Sequence, residues 1–416
     1  NIFLGTDIGL FRINEVDSIY EKLLEGDKLP SREINDLEID HEGSIWLGME
    51  RGGLVQLKQG KLSGYTKNEG LSLDRVNIIA EKEEGVFWVG SDNGEIDIIN
   101  TKINRIDKFT SKHNIENKGI RDFLFDGDVI WIASYDGLLK ITDTEEINLT
   151  ENEGLSSRLV RRIILDNSGN IWIATRSGGV NKINKNGSIE IFNTDKGLTS
   201  NYILSLIEVD GDIYVGANRG GVSIIRKNGE IELIDVSDID AVNFNIRQDE
   251  EGCIWVAAGN GVFHLVDSTL NELKINPKVG TKSFFDIIDD KNGNFWLTTS
   301  KGLIRIDKNE VESFFKGNIP YVNFELFDDN DGLPSSECTA ATKSLLDSKG
   351  NLWIPTNSGI GVLDPRRISI NNKVPSVYIE SFNVDDENYK LNNIKIKPGH
   401  TRYKIVFTAL SYVAPL

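Results

Sequence analysis

Histidine is nearly missing from this chain. Four residues, His41, His113, His264 and His400, are spread over 416 positions. None is spaced as a metal site, so each reads as a turn, surface or packed-strand residue. Cysteine is scarcer still: Cys253 and Cys338 lie far apart in sequence and neither support nor exclude an oxidising compartment. No apolar run reaches the length of about 18 residues that a membrane helix needs, and no leader with a basic start and an apolar centre precedes Asn1. An excised segment is therefore expected, with membrane contact made only through segments absent from it. Positive charge is in deficit, with 46 Lys and Arg against 64 Asp and Glu for a net charge of −18. That argues against nucleic acid as a partner, whose binding rests on neutralising phosphates. No nucleophile elbow or other local catalytic signature occurs, and no catalytic residue, metal site or cofactor is assigned.

What the chain has in abundance is one repeated phrase: an apolar residue, an aromatic, an apolar residue, a small residue, then a polar stretch ending in Gly. It reads Ile45-Trp46-Leu47-Gly48, Phe87-Trp88-Val89-Gly90, Ile130-Trp131-Ile132-Ala133, Ile171-Trp172-Ile173-Ala174 and Ile213-Tyr214-Val215-Gly216. It continues as Ile254-Trp255-Val256-Ala257, Phe295-Trp296-Leu297-Thr298 and Leu352-Trp353-Ile354-Pro355, and Ile2-Phe3-Leu4-Gly5 opens the chain. Successive aromatics are 43, 42, 43, 41, 42, 41, 41 and 57 residues apart. A period of about 40–45 residues with short strands predicts one four-stranded propeller blade per repeat.

Alternation with period two makes the phrase a strand, with the aromatic on one face and aliphatics on the other. An inner strand such as Val76-Asn77-Ile78-Ile79-Ala80 precedes it. Turns of the type Asp166-Asn167-Ser168-Gly169 join the two, with Asp bonding the turn backbone and Gly accepting positive φ. Similar turns stand at Asp40-His41-Glu42-Gly43, Asp249 to Gly252, Asp290 to Gly293 and Asp347 to Gly350. The run Asp328-Asp329-Asn330-Asp331-Gly332 looks like a calcium loop, but Thr339 stands where the bidentate Glu is required, so it reads as a turn.

The combination of Gly154-Leu155-Ser156 with Asn170-Ile171-Trp172-Ile173-Ala174-Thr175-Arg176-Ser177-Gly178-Gly179-Val180 resembles the two-component regulator propeller repeat. The resemblance covers residues 1 to about 366. It implies an extracytoplasmic sensory region of a membrane-bound bacterial signalling protein, mostly a hybrid histidine kinase, with about seven blades per ring. The nine phrases divide most simply into seven for one propeller, from Trp88 to Trp353, and two for the end of a preceding one within residues 1–65. Eight or nine blades in one ring is the alternative. The 57-residue interval holds an enlarged loop around Pro320 to Thr342. After Asp364-Pro365, the stretches Val374 to Ile379 and Ile405 to Tyr412 are similar to the opening of the immunoglobulin-like triple-tyrosine domain. Residues 367–416 are thus expected to start a β-sandwich and stop before its end.

A recognition surface is expected where the turns after the aromatic strands meet the starts of the inner strands. The residues assigned to it are Arg51, Arg75, Asn77, Arg121, Tyr135, Arg161, Arg176, Tyr202 and Arg219. Several arginines converging with Asn and Tyr in an acidic protein suit a polyhydroxylated or anionic sugar. The resemblance turns this into a sensor of an oligosaccharide or other small ligand, on the periplasmic or extracellular side, signalling through a homodimer. The alternatives are a propeller lyase or glycosidase, whose acids would come from different blades and leave no local trace, and a protein-binding scaffold.

Overall fold

The structure, a computed structural model, describes residues 2–14, 19–25, 29–31, 33–40, 43–57, 60–73, 75–113, 115, 118–234, 242–340, 342–368, 376–385, 387–389, 396, 399 and 402–410. His41, His400 and Tyr412 lie outside these. The chain divides into two units, residues 60–368 and residues 1–59 together with 369–416.

The larger unit consists of seven antiparallel sheets of four strands each. Blade 1 runs Val76–Glu83, Val86–Ser91, Ile96–Asn100 and Arg105–Lys108, from the axis outward. The inner strands of blades 2 to 6 are Ile120–Asp126, Val160–Leu165, Ile203–Val209, Asn243–Gln248 and Phe284–Asp289. Blade 7 joins the two ends of the unit. Its first three strands are Leu345–Leu346, Leu352–Thr356 and Gly359–Leu363, and its outermost is Ser63–Tyr65. The expectation that residues 1–65 all precede the ring is corrected here. Pairing Ser63–Tyr65 onto the last blade joins the two ends of the unit by backbone hydrogen bonds and so closes the ring.

The aromatic of each repeat lies between its own blade and the next, as its phase requires. Trp88 clusters with Phe123, Trp131 with Ile163, Trp172 with Leu206 and Tyr214 with Ile246. Trp255 faces Phe295, Trp296 packs with Leu352, and Trp353 stacks on Phe87 of blade 1 at 3.9 Å between ring centroids. That last stack closes the circle at seven. Fully burying each such ring contributes several kcal/mol, roughly 2–3 by transfer of its apolar area.

Two features depart from a regular blade. The long final interval is not only a loop: it contains the helix α1, Lys308–Phe315, started by Asp307, whose carboxylate accepts from Asn309 N at 2.7 Å. The helix seats Val311 in the core. The inner strand of blade 7 is then interrupted. Cys338 pairs with Thr356 and Leu345 with Trp353, so seven residues advance along the inner strand against three along its partner. The surplus carries Lys343 toward the axis. Asp328–Gly332 is a capped turn, Asp328 accepting from Asn330 N and Gly332 taking φ 101°.

In the other unit, Ile2–Thr6, Gly9–Asn14 and Ile19–Glu25 form one three-stranded sheet. Ile34–Ile39, Ile45–Met49 and Leu54–Leu57 form another. Leu10, Ile34 and Leu47 share a core. In a third, Ser376–Val384 pairs with both Glu387–Tyr389 and Tyr403–Leu410.

Candidate functional site at the mouth of the ring

Every inner strand of blades 1 to 6 has a β-bulge at the same place. The register slips between Val76 and Ile78, Ile120 and Asp122, Val160 and Arg162, Ile203 and Ser205, Asn243 and Asn245, and Phe284 and Asp286. The surplus residues are Asn77, Arg121, Arg161, Leu204, Phe244 and Phe285. A bulge places one unpaired residue on the strand and re-aims its side chain. Blades 1 to 3 thus put polar or cationic groups at this level, and blades 4 to 6 apolar ones.

The three polar groups meet residues from the turns after the aromatic strands. Asp92, in the turn of blade 1, accepts from Asn77 Nδ2 at 2.8 Å and Arg121 Nη2 at 2.6 Å, and pairs with Arg75 at 3.2 Å. The Arg121 guanidinium lies over the Tyr135 ring, 4.2 Å from its centroid. Arg161 donates through Nη1 to Tyr135 Oη at 2.6 Å and to Tyr202 Oη at 3.4 Å. Arg176 lies 5.8 Å from the centroid of Tyr135 and 5.5 Å from that of Tyr202. Four guanidinium groups and two phenols thus gather with one carboxylate among the described residues, Asp92, which engages Arg75 and Arg121 alone of the four. Burial, chiefly, holds the Arg121 guanidinium below its ordinary value, while Tyr135 and Asp92 act in the opposite sense.

Seven of the nine residues assigned from sequence therefore stand together: Arg75, Asn77, Arg121, Tyr135, Arg161, Arg176 and Tyr202. Arg51 belongs to the other unit, in the exposed turn after Ile45–Met49. Arg219 is in the ring but exposed, at φ 69°, and makes none of the contacts of the cluster. Arg158 is turned away onto Glu151 at 3.0 Å.

A second layer went unread in the sequence. Arg162 donates to Asn245 Oδ1 at 3.1 Å, across from blade 3 to blade 5. Arg247 forks onto Asp286, 2.9 and 2.6 Å from its two oxygens, and reaches Ser344 O at 2.7 Å. Asp122 accepts from Ile163 N at 3.1 Å. Burial raises the Asp122 carboxyl against the lowering pull of Arg162 and Lys343. Burial first, and then the charge of Arg247, brings the Lys343 ammonium down to about 8. Strict alternation would aim Asp122 and Arg162 opposite to Arg121 and Arg161, and the bulge cancels that alternation. The signal available was the run of consecutive polar residues, Arg121-Asp122 and Arg161-Arg162, inside otherwise apolar strands.

His264 is stacked on Trp255, with ring centroids 4.7 Å apart, and burial pulls its imidazole below the ordinary value. It is a packed strand residue. Among the described residues one group of carboxylate and thiol atoms lies close enough to share an ion, Asp249, Glu251 and Cys253. Asp249 there is engaged with its own turn backbone and with Trp255 Nε1 at 2.8 Å.

Residues 51–194 match the family described as "TSS9, PorZ, N-terminal beta-propeller domain". The chain is similar to histidine kinase P4 of Formosa agariphila, with 25% identity over 378 residues, spanning 85% of this chain and 24% of that protein. The extracellular domain of a hybrid two-component system from B. thetaiotaomicron superposes with a TM-score of 0.75 and 18% identity, covering 98% of this chain and 57% of that one. Virginiamycin B lyase from Staphylococcus aureus shares the fold at a TM-score of 0.53 and 15% identity, over 73% of this chain and 98% of the lyase. The likenesses to solved structures establish a β-propeller. The chain spans about a quarter of the length of the kinase and somewhat over half that of the extracellular domain.

Proposed function

We propose that this chain is an extracytoplasmic sensory region of a bacterial two-component signalling protein, and that the mouth of its ring binds an oligosaccharide. The observation that carries the reading is the arrangement of Arg161, Tyr135 and Tyr202. Three side chains from three blades are locked to one another before any ligand arrives, which lowers the ordering cost of binding. Planar guanidinium and phenol groups supply the hydrogen bonds and ring faces that a polyhydroxylated ligand needs. Similarity to histidine kinase P4 and to the extracellular domain supports the sensory assignment and the location outside the cytoplasm; a homodimer as the signalling form is part of the proposal. A ligand transmits a signal in such a system only by binding one arrangement better than another.

The second reading is an enzyme acting on a polysaccharide; the lyase that shares the fold is named for virginiamycin B and lends that reading the fold alone. Against it, the mouth cluster brings together a single carboxylate, Asp92, and that group is already engaged by Asn77, Arg75 and Arg121. The test is a thermal-shift screen with neutral and acidic tetrasaccharides, with product analysis of the same mixtures. A ligand selective for the folded state raises its stability. Saturable stabilisation without turnover is expected. Cleavage products would replace the sensor with the enzyme, and no shift with any sugar would leave a protein-binding scaffold.

A further inference from the structure

The mouth cluster carries more cationic charge than its own contacts use. Arg75 and Arg121 share Asp92. Arg161 is only 8% exposed, and both of its side-chain bonds go to neutral phenol oxygens. Arg176 meets two aromatic rings and no carboxylate among the described residues. The neighbouring Lys118 is matched by Asp136 at 3.5 Å and adds nothing to the imbalance. In a chain with net charge −18, acidic residues are plentiful, yet none among the described residues stands against Arg161 or Arg176. A guanidinium that is nine-tenths buried without a carboxylate is costly, since desolvation is offset by hydrogen bonds to neutral groups alone. The remaining N–H groups of Arg161 have no protein acceptor among the described residues and are not sealed from solvent. In the same cluster Arg121 Nε and the side-chain oxygen Oδ1 of Asn77, 2% exposed as a residue, are buried without partners.

We propose that the ligand of this site is an acidic oligosaccharide, with a carboxylate or sulfate group seated on Arg161 and Arg176 and a sugar ring against Tyr135 and Tyr202. The inference rests on the reading that the mouth binds an oligosaccharide, and it adds the charge of that ligand. Arg161 is the buried anchor. Its fork is fixed by the two phenols and free to take one anionic oxygen pair from the open side. Arg176, exposed and poised over both rings, would close on the same anion. The phenol faces supply the flat surface that a sugar ring covers.

Calorimetry with the whole chain tests this, using tetragalacturonate as the carboxylate probe, a chondroitin sulfate tetrasaccharide as the sulfated probe and xylotetraose as the neutral one. At least one acidic probe should bind about 30-fold or more tighter than xylotetraose, its affinity falling as NaCl rises because the charge contacts are screened. The preference between the two acidic probes assigns carboxylate or sulfate. Arg161→Gln should weaken the acidic ligand by about 30-fold and Arg176→Gln by about 5- to 10-fold, in each case more than it weakens xylotetraose. Arg176 is exposed, so its variant reports on the site even if Arg161→Gln fails to fold. Equal binding of neutral and acidic probes, or full acidic affinity in Arg176→Gln, would overturn the acidic assignment and leave the oligosaccharide reading standing. Failure of all three probes to bind would sink both.

Discussion

At the scale of single residues, the turn aspartate holds more than its turn. In five repeats the sequence runs Asp, two residues, Gly, two residues, Trp, and the second carboxylate oxygen accepts from the indole. Asp40 bonds Trp46, Asp166 bonds Trp172, Asp249 bonds Trp255, Asp290 bonds Trp296 and Asp347 bonds Trp353, at 2.8 to 2.9 Å. The first oxygen meanwhile takes the turn backbone, as Asp290 does from Asn292 N at 2.8 Å and Asn294 N at 3.0 Å. One carboxylate therefore ties the hairpin to the aromatic between the blades. Trp296 is fully buried, so Asp290→Ala would strand an indole donor and two backbone donors and should cost about 3 kcal/mol in urea unfolding. Trp131 provides the contrast. Its shorter turn, around Gly127, has no Asp six residues before the ring, and its indole N–H is buried without a partner. Trp131→Phe removes that stranded donor and should cost no more than about 1 kcal/mol, the volume loss being partly offset. Similar losses in the two variants would show that the clasp contributes nothing.

At the scale of elements, the inner-strand bulge and the closing strand decide what the ring can do. Strand, turn and blade were legible because they are local and repeated: nine aromatic phrases at near-constant spacing specify period, pairing and the face each Trp takes. The bulge left only a faint trace, since the one-residue surplus shows as a single break in alternation, with Arg161-Arg162 between Val160 and Ile163. Most of the mouth residues were nonetheless found, since Asn77, Arg121 and Arg161 stand at equivalent places in successive repeats. Asp122, Arg162, Asn245 and Asp286 were missed because their orientation depends on that surplus. The closing strand Ser63–Tyr65 was hidden for another reason: its partner, Gly359–Leu363, lies at the far end of the unit, and nothing periodic links them. Tyr65 stacks on Trp353 with the rings 6° from parallel. Gly359 sits at φ 126°, where a Cβ would stand 2.3 Å from the Tyr65 carbonyl oxygen. That atom is backbone and cannot swing aside. Gly359→Ala should destabilise the ring by roughly 3 kcal/mol, through strained φ and a displaced closing strand. Limited proteolysis near residue 60 should accelerate with it, and unchanged proteolysis would show that the closing strand does not depend on this contact.

At the scale of the whole molecule, the axis concentrates charge that an acidic chain otherwise spreads over its surface. Below the mouth, Arg162, Arg247 and Lys343 face Asp122 and Asp286, so three cations share two carboxylates in a confined space. Arg247 and Asp286 form a close fork, which leaves Lys343 as the group whose charge is least supported. Its ammonium titrates at about 8 against an ordinary 10.5, with burial and Arg247 as the leading causes and Asp122 opposing them. The consequence for stability has a definite sign. Because the folded state gives up this proton at lower pH than the unfolded chain, the unfolded state binds more protons between about 8 and 10.5, and stability gained from this group rises with pH across that window. Below about 8 the folded state carries the penalty of a half-buried, poorly matched charge. Lys343→Met should therefore raise Tm at pH 7 by roughly 2–4 °C. The gain over the native chain should shrink as pH rises from 8 to 10.5, which differential scanning calorimetry at several pH values would follow. A constant difference across that range would place the Lys343 ammonium in contact with water or an unrecognised acid, and Lys343 would no longer be the poorly supported charge of the layer beneath the mouth.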